Sequence, residues 1–465
     1  MSHETRRWAA LAALTLAVTL LAVDGTVLAL AVPALTADLA PSSAQLLWIG
    51  DAYSFALAGL LVSMGTLADR IGRRRLLLIG VTGFGAASLL AAFAPGPGWL
   101  IAARVLLGVA GATLMPSTLS IVRNLFPDAR TRTRAIAIWS AGASGGAALG
   151  PLVGGALLEH FWWGSVFVIN VPIMLLVLIA VALLVPESRD PAPGRFDPAS
   201  ALLSVAAIVP LVWAVKHAAQ DGPDLAAAAA ALLGLASGLI FVRRQKRLAA
   251  PLVDVSLFAR PAFTGTVLAT VIAIFAFSGL LFFFSQYLQL VRGYSPLQAG
   301  LRELPLTLAS IAVVVVAVPL VTRLGVGRAL SLSLLVAAAG LGVLALGETS
   351  PGYALLAAGL IITGLGVGLA FTASTDAILG AVPAERAGAA SAISEMSYEL
   401  GVALGIALLG TLHTVLYRAA LPSSAGEAVR ESLASAAHAG AGEGVLVTAR
   451  EAFAGAMQTT SVIAA

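Results

Sequence analysis

Cysteine is absent from all 465 residues, which excludes disulfides, thiol nucleophiles and thiolate metal sites. The five histidines, His3, His160, His217, His413 and His438, are scattered and match no ligand spacing, so no metal is expected. Lysine is almost missing. The two present, Lys216 and Lys246, follow Val215 and Gln245, and a phosphate-binding G-K-[ST] loop cannot be built from them. Any transport would therefore run on an ion gradient or on a separate partner. No nucleophile–base pair stands out and no cofactor is called for, so an enzyme is the weakest reading. Charge is scarce too: 11% of residues are charged, against roughly a quarter in a soluble domain.

What is present is apolar. The chain is 59% hydrophobic with a mean hydropathy of +0.97, which reads as an all-α polytopic membrane protein. A pI of 9.7 could point to nucleic acid, but the arginines gather in loops on one side, and membrane topology explains them without a nucleic-acid partner. About twenty apolar residues cross a bilayer. On that measure spans are predicted near 8–33, 45–67, 76–94, 99–122, 135–158, 165–185, 199–215, 225–242, 263–291, 300–321, 329–347, 353–373 and 388–415. The apolar tail 452–465 is too short to cross and reads as the start of a fourteenth helix, cut off at Ala465. The first span is too long for a cleaved signal and contains Asp24.

Charge sets the orientation. With the N-terminus in the cytoplasm, 20 of the 27 Lys and Arg fall on the cytoplasmic side, among them Arg70, Arg73, Arg123, Arg134, Arg244, Arg323 and Arg386. The expected location is a bacterial plasma (inner) membrane. The second part of the chain also echoes the first. Thr322-Arg323-Leu-Gly325 echoes Asp69-Arg70-Ile-Gly72, Pro383-Ala-Glu-Arg386 echoes Pro127-Asp-Ala-Arg130, and Leu404-Gly405…Gly410 echoes Leu149-Gly150…Gly155. Repeats of this kind mark transporters whose halves rock about a central site. The division expected is a six-helix half over 1–190, two inserted helices over 191–248, and a second half over 249–465 whose last helix is truncated.

Four stretches carry a family resemblance. The first is Gly65-Thr-Leu-Ala-Asp69-Arg70-Ile-Gly72-Arg73-Arg74-Arg75, with the spacing G-x-x-x-D-R-x-G-R-R between two spans. The second is Arg104-Val-Leu-Leu-Gly108-Val-Ala-Gly111. The third is Gly146-Ala-Ala-Leu-Gly150-Pro151-Leu-Val-Gly154-Gly155. The fourth joins Asp24-Gly25-Thr26-Val27 to Trp48-Ile-Gly-Asp51-Ala-Tyr53. Together they resemble the fourteen-helix drug:proton antiporter branch of the major facilitator superfamily, bacterial exporters of quaternary ammonium compounds, dyes, methyl viologen and fluoroquinolones. The segment from Leu158 to Pro172 resembles the same branch. The chain departs from the pattern at Ile406, where a second-half copy of the third motif would need proline, and at its incomplete last helix. The resemblance implies a gate-latching role for Gly65, Asp69, Arg70, Gly72 and Arg73, and a gate seam along Gly146, Gly150, Pro151 and Gly154. Small residues one turn apart also permit plain close packing, and both roles can hold together.

Ionisable groups inside spans are functional by default. Here they are Asp24, Asp51, Arg104, Glu395 and Glu399. Asp24, Asp51 and Arg104 fall in one layer of the first half, where an arginine–carboxylate pair would neutralise burial; for Asp51 a permanent ion pair is as good a reading as a coupling role. Glu395 and Glu399, four apart, share a helix face, and two carboxylates so close in a low dielectric do not both stay ionised. Proton coupling is assigned to Asp24, Arg104, Glu399 and Glu395. Substrate binding is assigned to Asp24, Glu395 and Glu399 with the aromatics Tyr53, Trp139, Phe282, Tyr287 and Tyr398, whose faces attract cations. Asp376, at a helix end, reads as structural. The function expected is proton-coupled export of lipophilic cationic drugs by a monomer in the lipid bilayer. Two alternatives remain: a dedicated exporter of one endogenous antibiotic or lipid, and a non-transporting membrane sensor.

Overall fold

The computed structural model describes residues 3–189, 197–220, 222–248, 251–380 and 387–465, and among these no strand occurs. In hydrocarbon a helix satisfies its own backbone, so apolar sequence becomes helix. The elements run α1 (His3–Leu39), α2 (Ser43–Ile71), α3 (Arg73–Ala92), α4 (Pro97–Leu125), α5 (Ala129–His160), α6 (Ser165–Val168), α7 (Asn170–Leu184), α8 (Pro198–Gln220) and α9 (Leu225–Gln245). They continue as α10 (Pro261–Gln286), α11 (Pro296–Ala312), α12 (Val314–Leu324), α13 (Val326–Glu348), α14 (Ala354–Gly380), α15 (Ala387–Leu404), α16 (Gly410–Ala420), α17 (Glu427–Glu431), α18 (Leu433–His438) and α19 (Glu443–Ala464). A π-helical turn extends α10 over Tyr287–Val291, and another joins α15 to α16 over Gly405–Leu409.

Among the described residues, 12 helical stretches are long and apolar enough to cross a membrane. Two further rods complete the set: α11 with α12, interrupted only at Val313, and α19. The last is a correction to the sequence reading. The final helix begins at Glu443 and not near Ala452, and its 22 residues reach about 33 Å, the length of a span. Glu443, Arg450 and Glu451 lower the hydropathy of its first turns and hide its start in the sequence. A second correction concerns α8, which runs on to Gln220, so Lys216 sits in a helix and not in a loop.

The helices form two bundles. In the first, α1 packs on α5 and α7, and α4 lies between α2 and α3. In the second, α13 packs on α14 and α19, and α10 on α15. The α8–α9 hairpin lies against α2. The bundles meet where α5 lies along α11, α2 along α15 and α1 along α10. Three hydrogen bonds that cross between them sit at the end remote from the arginine-rich loops: Gln289 Nε2 to the Leu30 carbonyl at 3.1 Å, Leu297 N–H to Glu159 at 3.4 Å and Ser43 N–H to Glu431 at 2.9 Å. The remote end is closed.

Candidate functional site

The deepest charges gather where α1, α2 and α4 meet. Asp24 and Arg104 are both buried, with Arg104 Nη1 at 3.3 Å from Asp24 Oδ2. Asp24 Oδ1 accepts from Asn170 Nδ2 at 2.8 Å, and the same amide donates to Ser88 Oγ at 3.1 Å. Arg104 spends its other donors on the backbone of α2, with Nε at 3.1 Å from the Ile49 carbonyl and Nη2 at 3.5 Å from that of Gly50. The Tyr53 ring lies 4.7 Å from the guanidinium. The spacing of the motif explains this geometry. Gly108 is one turn from Arg104 on the same helix face. A Cβ there would press on the Tyr53 carbonyl and come within 2.7 Å of the Ala56 methyl, so only glycine lets α4 approach α2 closely enough for Arg104 to reach those carbonyls.

A second buried ion pair stands beside the first. Lys216 Nζ of α8 donates to Asp51 Oδ2 of α2 at 2.7 Å, and the ammonium lies 4.2 Å from the Trp48 ring. Asp51 thus pairs with Lys216 and not with Arg104. Facing these pairs from the second bundle is α15. Glu399 is buried and accepts a hydrogen bond from Ser54 of α2, its Oε2 has no partner among the described residues, and its electrostatic neighbours are Glu395 and Arg104. Glu395 is half-buried one turn away and makes no hydrogen bond or ion pair among the described residues. The first bundle's buried acids each have a cation. The two on α15 face the seam without one of their own.

A two-bundle helical membrane protein with charges at its central seam has a known family. Residues 14–406 match the Major Facilitator Superfamily. The chain belongs to it. It is similar to the multidrug efflux pump LfrA of Mycolicibacterium smegmatis, with 48% identity covering 99% of this chain and 94% of that protein. It is also similar to the methyl viologen resistance protein SmvA of Salmonella typhimurium, at 39% identity over 96% and 93%. A third relative is the tetracenomycin C resistance and export protein of Streptomyces glaucescens, at 36% over 88% and 76%. Among solved structures, a bacterial homologue of the human lysosomal transporter Spinster, in an inward-facing and unoccupied conformation, superposes with a TM-score of 0.71 at 22% identity, covering 99% and 95% of the two chains. That likeness concerns the fold. The relatives place this major facilitator in the drug-efflux branch, and it is a transporter and not an enzyme.

The signature loop of this major facilitator is held within the first bundle. Asp69 pairs with Arg73 at 2.7 Å, and Gly72 takes φ +111° between α2 and α3. That positive φ favours glycine, and a Cβ there would stand 2.7 Å from Glu187 Oε1 and push the carboxylate aside. Glu187 caps α3, accepting from Arg74 N–H at 3.1 Å and Arg75 N–H at 3.2 Å, an anion at a helix N-terminus. The motif of α5 divides. Gly146, Gly150 and Gly154 back onto Thr19, Thr26 and Val27 of α1, where added methyls would clash, so packing inside one bundle accounts for them. Pro151 and Gly155 face the other way, against Gly300 and Leu297 of α11.

The aromatic candidates are dispersed. Tyr53 covers Arg104. Trp139 is half-buried and donates to Thr118 Oγ1 at 3.3 Å. Tyr398 is half-buried and meets Phe371 edge-on at 5.7 Å. Phe282 is buried at the bundle contact against Gly50. Tyr287 lies apart, fully buried near the closed end, its hydroxyl donating to the Glu348 carbonyl at 2.6 Å. The side chain of Asp376 and the repeat at Pro383 and Arg386 lie outside the described residues. Buried polar groups absent from the sequence candidates include Asn170, Lys216, Glu303 and Glu348. Asn170 and Glu303 were signalled by a polar side chain inside an apolar span, and Lys216 by being one of only two lysines.

Proposed function

We propose that this major facilitator is a proton-coupled antiporter that exports lipophilic cations, with quaternary ammonium compounds, ethidium, viologens and fluoroquinolones as the substrate class. The observation that carries this reading is the pair Glu395 and Glu399, two acids at the bundle seam without a cation of their own among the described residues. Uncompensated negative charge is expensive in a low dielectric and is relieved either by a proton or by a bound cation. Competition of the two for one carboxylate links export to proton entry. Asp24 and Arg104 supply the coupling group of the first bundle, and Tyr398 and Trp139, both half-exposed, supply cation–π surface. The names of LfrA and SmvA support this substrate class.

In the same reading the two bundles are the rocking halves, divided at about residues 190 and 248 from the inserted hairpin, and the closed end faces away from the cytoplasm. The N-terminus is cytoplasmic, the membrane is the bacterial plasma membrane, and the monomer is the working unit. Gly65, Asp69, Arg70, Gly72 and Arg73 then latch the cytoplasmic end when it closes. Purified protein in liposomes tests the function. An imposed pH gradient should drive ethidium movement without nucleotide, and a protonophore should stop it. Movement unaffected by the protonophore would refute proton coupling.

A further inference from the structure

The α8–α9 hairpin reaches the site described above only through Lys216, and its first helix covers the seam between the bundles. Val212 of α8 is buried in one cluster with Phe55 of α2 and with Ala403 and Ala407 on the other side of that seam. The two contacts differ in kind. Toward α2, α8 makes polar bonds along its length: Ser204 Oγ donates to the Gly59 carbonyl at 3.0 Å, and Lys216 bonds Asp51 at 2.7 Å over the Trp48 ring. The backbones are also close, since a Cβ on Gly59 would come within 2.5 Å of the Val205 side chain. Toward the second bundle the cluster is apolar, made by Ala403, Leu404 and Ala407. Separating α8 from α2 would strand an ammonium and a carboxylate in a low dielectric, whereas sliding along an apolar surface strands no charge.

We propose that Asp51 and Lys216 are positioning residues, a permanent pin that makes the α8–α9 hairpin travel with the first bundle while the second bundle slides along it. The hairpin then keeps the α2 seam covered against lipid in every state of the cycle. Asp51 is a fixed counter-charge and not a proton carrier. The inference rests on the rocking-transporter reading and adds the part that the inserted helices play in it.

The absence of native cysteine makes the test direct. One variant carries Gly59→Cys and Val205→Cys and bridges α8 to α2. Another carries Val212→Cys and Ala407→Cys and bridges α8 to the second bundle. Ethidium efflux should survive the first bridge and be lost with the second, and a reductant should restore it. Any other combination overturns the pin: loss with the first bridge, or survival with the second. Opening of the closed end is read separately, by labelling a Leu297→Cys added to each variant with an impermeant maleimide. That readout needs no substrate. If unbridged protein moved no lipophilic cation, the transport reading would fail, and the labelling would still decide the pin. The pair itself is tested by neutralisation. Asp51→Asn and Lys216→Met should each lose efflux or expression, while the double variant Asp51→Asn/Lys216→Met should recover both. A double variant that expresses and reaches the membrane but does not export would assign Asp51 to proton coupling and refute the proposal.

Discussion

At the residue scale, the acids of this protein sort by whether they own a counter-charge. Asp24 has Arg104 and the Asn170 amide, and Asp51 has Lys216. Glu399 has a serine hydroxyl and one oxygen without a described partner. Such a group can change its charge without leaving a stranded arginine behind, which makes it the stronger candidate for the titrating step. Glu399→Gln preserves size and hydrogen bonding and removes the titration. Transport of ethidium and methyl viologen into everted vesicles at matched expression should be abolished. Glu395→Gln should do less, and mainly to the doubly charged viologen, because a second negative charge matters more to a dication. Asp24→Asn should also stop coupled transport, by leaving Arg104 uncompensated. Wild-type rates in Glu399→Gln would remove that residue from the mechanism. Glu395 and Glu399 were readable from their four-residue spacing within an apolar span. The partner of Asp51 was not, because no spacing along the chain connects residues on different helices.

At the scale of the element, the informative features are the ends. Ser42 caps α2 through a reciprocal bond with Gln45, and Glu187 caps α3 from a distant part of the chain. The hairpin is tied at its open end by Asp197, which accepts from Arg244 Nε at 3.0 Å and Nη2 at 2.9 Å and from Ser200. The Arg244 bond is the main reason that the Asp197 carboxyl falls from 3.8 to about 2, against a smaller opposing effect of burial. The lowered value fixes the sign of a pH effect. The ionised form is favoured in the folded protein, so its contribution is complete above the unfolded value near 3.8 and is lost as pH falls toward 2. Asp197→Asn should therefore lower the melting temperature of purified protein at pH 7, and the gap to wild type should close as pH drops below about 4. A gap that stayed constant with pH would show that the tie is not electrostatic. The start of α19 shows the reverse case, an element end that sequence concealed. Its first turns carry Glu443, Arg450 and Glu451, which read as loop until Phe453, Met457 and Ser461 are seen buried against the second bundle.

For the whole molecule, orientation is the prediction that charge alone supports. The arginine-rich loops should lie in the cytoplasm. A single cysteine at Ser42, in the loop between α1 and α2, should react with an impermeant reagent on intact cells. One at Thr131, in the first turn of α5, should not react. The reverse pattern would invert the topology. Closure at the remote end is made by close backbone approach, Gly155 against Leu297 and Gly300 against Pro151.

The sequence by itself determined the class of protein, the approximate place of most spans, the arginine asymmetry and the acids within spans. Each of these is local: hydrophobic length, a charge inside it, a glycine one turn from an arginine. The family could be recognised for the same reason, because its motifs are short and contiguous. Tertiary structure decided the pairings. It gave Asp24 to Arg104 and Asn170, and Asp51 to Lys216, across 80, 146 and 165 residues of sequence. It turned the α5 glycines toward α1 and left Pro151 and Gly155 to meet the second bundle. It also buried Tyr287 against Glu348 near the closed end and left Glu399 without a paired cation among the described residues. Periodicity tells which residues share a helix face, but which helix that face meets depends on how the rods pack. In a low dielectric that choice sets whether a buried charge is a fixed pin or a group free to titrate.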